Sequence, residues 1–305
     1  MREQLSEGGR QIGVWPFVAF TGVSFGVGGL LVKGLVDDGV DPFTVTWFPF
    51  LVGGLFGLAI GARLGHLRRG AMAPAVVLGL MASAAPALLF NIGFDNLPAG
   101  IVTLLISLGP VFTALVAHFV FPDERFNVVK AGGLFMAVIG VGILAAGSIE
   151  GDGSLGAIAI VVIGAMAAGG AAVLTRRYAL SYGATVLIAP QLTTAGLAAL
   201  VLSSALGRPI TPDGGFESWH IITMIIFGLA VHLGFLSMLR ASEVGTTGQV
   251  SIIGYCIPVF GVIGGIVVFG DDLTLSLVLG GALIMVSVTV IAVGSRPPAR
   301  SSPLG

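Results

Sequence analysis

The chain has 305 residues, 55% of them hydrophobic and only 10% charged, with a formal net charge of -1 and a mean hydropathy of +1.04. Soluble domains carry charge on about a quarter of their residues, so this composition excludes one. Basic residues are too few and too scattered for a nucleic-acid surface, and the single cysteine, Cys256, excludes an internal disulfide.

Ten apolar runs follow one another, each near the roughly 20 residues that cross a bilayer. The first is Val14–Val36, too long for a signal-peptide core and read as a retained span. Lys33 lies near its end, where it can reach outward to water or attract an anionic group of a solute. Phe43–Gly61 follows, with Gly53, Gly57 and Gly61 at steps of four that permit close helix contact. Ala73–Phe94 carries Asn91, an amide that must find protein or water as a partner. Leu97–Val120 carries Thr103, Ser107, Pro110 and His118 on one helical face. Val128–Gly147, Leu155–Thr175 and Ala184–Leu206 come next. Trp219–Leu239 holds His232 near its middle, either an ionisable functional group or a neutral hydrogen-bonding one. Gly245–Phe269 contains Gln249, Ser251, Tyr255 and Pro258, and Leu275–Gly294 is the last span. All should be helices, because lipid offers no hydrogen bonds to an open strand and the runs lack the alternation of a barrel. The expected fold class is therefore an all-α polytopic membrane protein of ten transmembrane helices.

The pattern is written twice. Gly28-Gly29, Thr44-Val45 and Pro49 recur as Gly169-Gly170, Thr185-Val186 and Pro190, and Pro110-Val111-Phe112, Asp123 and Gly132-Gly133 recur as Pro258-Val259-Phe260, Asp271 and Gly280-Gly281. The offset steps up between these groups, which places extra residues around Arg208 to Ser218 in the second half. Two repeats of five helices, residues 14–147 and 155–294, follow, with short tails at 1–13 and 295–305. An odd number of spans inserts the second copy upside down, a plan shared by many secondary transporters. Arg2, Arg10, Arg63, Arg68, Arg69, Arg125, Lys130, Arg176, Arg177, Arg240, Arg296 and Arg300 fall on one side, against Lys33 and Arg208 on the other. The asymmetry sets both termini in the cytoplasm and predicts a multi-pass protein of the cytoplasmic membrane.

The segment Ala99 to Phe112, its second copy around Gln249 to Phe260, the acidic residues Asp123-Glu124 and Asp271-Asp272 that follow, and Lys33 together resemble the EamA-like branch of the drug/metabolite transporter superfamily. The acidic pairs stand where relatives usually show Gly-Glu, so the correspondence there is loose by one residue. The resemblance extends from about Val14 to Gly294. It implies a transporter of small organic metabolites, with export as the usual direction.

Polar stripes at equivalent places, Thr103 with Ser251 and Ser107 with Tyr255, would line a shared cavity, or would bond their own helices. Pro110 and Pro258 would deform paired helices, as hinges or as static kinks. The expected solute contacts are thus Lys33, Asn91, Thr103, Ser107, His232, Gln249, Ser251 and Tyr255. Neutral hydrogen bonds amid apolar walls suit an amino acid or similar amphiphile moved by alternating access. Partners are a small-molecule solute and membrane lipids, in a monomer or weak homodimer. No phosphate-cradling loop, metal motif or nucleophile elbow appears, so neither a cofactor nor catalysis is expected. A membrane-embedded enzyme or sensor scaffold on the same helices is the alternative.

Overall fold

The computed structural model describes residues 13–65, 68–120, 127–150, 154–212, 215–244 and 253–294. These form ten helical spans. We label them α1 (Val14–Asp37), α2 (Pro42–Arg63), α3 (Arg69–Asn96), α4 (Ala99–Ile106 and Gly109–Val120), α5 (Val128–Glu150), α6 (Leu155–Tyr182), α7 (Ala184–Ala205), α8 (Ser218–Val244), α9 (Ile253–Phe269) and α10 (Leu275–Gly294). Among the described residues, nine helices are long and apolar enough to cross a membrane, and α9 is a shorter apolar helix.

Local chemistry sets the boundaries. Asp41 caps α2 by accepting from the Phe43 N–H at 2.8 Å, and Pro42 occupies the first turn, where no N–H is needed. Gly183, at φ 87°, ends α6 and opens α7 in a single residue. α6 runs past the apolar stretch through the exposed Arg176 and Arg177, because helical hydrogen bonding continues after the hydrocarbon ends. The expected fourth span is interrupted: its helix stops at Ile106 and resumes at Gly109, just before Pro110. By contrast α9 carries Pro258 inside an unbroken helical run and ends in a wide π-turn, Gly265–Phe269.

The packing follows a rule of exchange. α2 packs on α7, α4 on α9 and α5 on α10, each a helix against its own counterpart five places on. The other large interfaces come in matched sets: α1 on α8 with α6 on α3, α1 on α9 with α6 on α4, and α2 on α8 with α7 on α3.

Glycines make these approaches close. A Cβ on Gly140 would stand 3.0 Å from the Gly280 carbonyl oxygen, and one on Gly280 would stand 2.9 Å from that of Gly140, so α5 and α10 touch backbone to backbone. Gly53 and Gly57 of α2 face Gly228 and His232 of α8, and Gly22 and Gly26 of α1 face Cys256 and Phe260 of α9. Small residues suit helix association in lipid, where apolar burial supplies no drive. The α2 glycine stripe is therefore used within the monomer, and Cys256 fills a packing position. The main buried cluster, including Val32, Leu35, Leu105, Leu108, Leu144 and Ile284, joins helices of both halves.

Candidate functional site

The break in α4 brings several hydroxyls together. Pro110 has no N–H to offer the Ile106 carbonyl. The Val111 N–H turns instead to Leu108, at 2.9 Å, and Phe112 also donates to Leu108, at 3.2 Å. Ser107 sits at this point, 2% exposed, with its hydroxyl donating to the Leu104 carbonyl at 2.6 Å and lying 3.9 Å from the Met285 sulfur of α10. Pro110 also lies beside Gly254 of α9. The next residue, Tyr255, donates its phenol to Thr289 of α10 at 3.0 Å, and Thr289 donates to the Met285 carbonyl at 2.9 Å. Tyr255 is half-buried and Thr289 exposed. Ser107, Pro110, Tyr255, Met285 and Thr289 thus form one seam where α4, α9 and α10 meet.

Other expected site residues are placed elsewhere. Thr103 is fully buried, donates to the carbonyls of Ala99 at 2.9 Å and Gly100 at 3.1 Å, and packs on Gly261 of α9. Asn91 is 6% exposed and donates to Thr46 of α2 at 2.9 Å, while Thr46 donates to the Pro42 carbonyl at 2.7 Å. His232 lies between α2 and α8, edge-on to Phe56 at 5.7 Å and against Gly57, and its Nδ1 has no partner among the described residues. Lys33 pairs with Asp37 at 2.6 Å within its own helix. Pro258 is buried inside α9. Gln249, Ser251, Asp123 and Glu124 lie outside the described residues.

Two features were not singled out from sequence. Thr289 is one hydroxyl in an apolar run, with nothing in its spacing to mark it. Gln191 of α7, 1% exposed, donates from Nε2 to Ser83 of α3 at 2.9 Å, while its Oε1 finds no partner among the described residues. An unpaired amide oxygen in hydrocarbon costs about 1–3 kcal/mol, and exchanging the amide O and N would only leave the NH2 unpaired instead. A groove of about 450 Å³ runs along α7, lined by Thr194, Leu197, Ala198, Val201, Leu202 and Ala205, and contains none of the expected site residues.

Apolar helices packed in exchanged pairs, with hydroxyls gathered at an interrupted span, define a multi-pass membrane protein. The EamA-like transporter family matches the chain twice, over residues 14–146 and 155–293, and the chain belongs to that family. It is a membrane transporter. It is similar to an "Uncharacterized transporter" of Archaeoglobus fulgidus, 25% identical over 219 residues that cover 70% of this chain and 75% of the relative. It is also similar to the "Uncharacterized transporter YdfC" of Bacillus subtilis, 28% identical over 177 residues covering 56% of this chain and 53% of that protein. A solved crystal structure shares the fold, with a TM-score of 0.66 at 19% identity, covering 94% of this chain and 99% of that one.

Proposed function

We propose that the chain carries a small neutral or zwitterionic metabolite, such as an amino acid, out of the cell across the cytoplasmic membrane by alternating access. The observation that carries this reading is the exchange of helix neighbours between the halves. Two copies that pack on each other by one rule, each with five spans, fit an inverted repeat whose halves swap conformations. The basic residues favour both termini in the cytoplasm.

The solute would sit at the α4 break. There Ser107, Tyr255 and Thr289 offer hydroxyls, and the proline leaves a backbone carbonyl without its helical donor. Half-buried Met285 packs beside Ser107, which suits an apolar side chain. Pro110 gives α4 a deformable point, whereas Pro258 is held in a continuous helix. Lys33 would act near the outer end of α1 and Asn91 and His232 at the helix interfaces.

Proteoliposomes loaded with labelled amino acids and nucleosides, with and without a pH gradient, test the reading. Saturable flux of one class should fall at least tenfold in Ser107→Phe and in Tyr255→Ala. Unchanged flux in both variants, with the protein still folded, places the pathway elsewhere.

A further inference from the structure

The extra residues of the second half fasten the outer ends of the two halves together. Arg208 lies 3.5 Å from Asp41, and its guanidinium stands 5.2 Å above the Phe43 ring. The buried Thr44 hydroxyl points at the carbonyls of Pro209 and Ile210, at 3.4 and 3.2 Å. Phe216 packs onto the main core.

His220 completes the fastening. Its Nδ1 accepts the Glu217 N–H at 3.0 Å, so the neutral ring carries its proton on Nε2 and donates it to Asp38 at 2.7 Å. The His220 side chain is 3% exposed, while its Asp38 partner is 52% exposed and open to water. Every partner in the first half belongs to the α1–α2 connection or the first turn of α2. The corresponding α2–α3 connection of the first half is shorter by the insertion and carries His66, Arg68 and Arg69 instead.

We infer that this insertion is a one-sided latch that holds the outer face of the transporter shut and biases the resting protein toward the state open to the opposite side. The inference rests on the alternating-access reading. With identical halves, the two open states of an inverted repeat would be equal in energy by symmetry. Contacts made in only one of the two states favour the state in which they are made.

Arg208→Ala combined with Thr44→Val removes two of the fastenings and leaves the Asp41 cap of α2 intact. Losing two modest polar interactions should shift the ratio of the two states about tenfold. Spin labels report it, in a Cys256→Ala background. An outer pair at Asp37→Cys and Thr211→Cys brackets the latch, and an inner pair at Leu64→Cys and Val244→Cys lies at exposed helix ends on the other face. The double variant should gain about tenfold in the ratio of long to short outer distances, and the inner pair should shorten in the same molecules.

A longer outer distance with an unchanged inner distance means a loop merely came loose, and overturns the inference. So does an unchanged outer distance. Saturable uptake by the same preparation separates the two claims: intact uptake with unshifted labels removes the latch alone, whereas no uptake of any amino acid or nucleoside removes the proposed solute class beneath it.

Discussion

Replacing Gly228 by alanine should separate α8 from α2. A Cβ at this position would stand 2.6 Å from the Pro49 carbonyl oxygen, 2.9 Å from the Val52 Cβ and 3.1 Å from the Pro49 Cα. Ordinary contact begins at 3.4 Å, so the closest approach is short by 0.8 Å (3.4 minus 2.6). The obstruction is backbone, which cannot rotate away as a side chain end can. The helices must move apart, and the facing contacts of Gly53 and His232 loosen with them. Overpacking of this kind costs about 1–3 kcal/mol, offset by up to about 1 kcal/mol of helix propensity gained on losing a glycine. With the full offset a net loss of up to about 2 kcal/mol remains, which should lower the thermal midpoint by up to about 8 °C, read by size-exclusion chromatography of heated samples.

Gly132→Ala is the matched control, because no described heavy atom lies within 4 Å of a Cβ there. It should be neutral or slightly stabilising. Equal midpoints for the two variants would refute the idea that glycine at 228 serves close approach.

Two further outcomes follow from the same bonds. Thr103→Val should leave uptake within about twofold of the parent, since the hydroxyl is already bound to the Ala99 and Gly100 carbonyls; a tenfold loss in the flux assay would put Thr103 in contact with the solute. Ser83→Ala with Gln191→Leu should raise the thermal midpoint, because it removes a buried amide whose oxygen has no partner among the described residues, together with the hydroxyl its nitrogen meets; a lowered midpoint would show that the oxygen has a partner in the membrane.

The seam at the α4 break was half legible. Ser107, Pro110 and Tyr255 stand out in sequence because polar residues and prolines are rare in apolar spans and these recur at equivalent places. Thr289, which receives the Tyr255 phenol, does not. Hydroxyls within a helix commonly bond their own carbonyls, so a lone threonine is silent until a neighbour from another helix is seen beside it. The same ambiguity covers Thr103 and Ser107. They share a stripe in sequence, yet Thr103 ends against Gly261 while Ser107 reaches the seam.

The sequence by itself determined that the chain is helical and membrane-spanning and where most of its apolar spans lie. Those are consequences of hydrogen-bond satisfaction in lipid and of run length, and both are local. Only the tertiary structure decided which helix meets which, that Pro110 interrupts its helix while Pro258 does not, and that His220 and Arg208 grip a connection far away in the chain. The two prolines share the Val-Phe that follows, with Gly109 before one and Ile257 before the other, and what each helix does with its freed carbonyl depends on the neighbours that offer or withhold hydrogen bonds, a property of the packed whole.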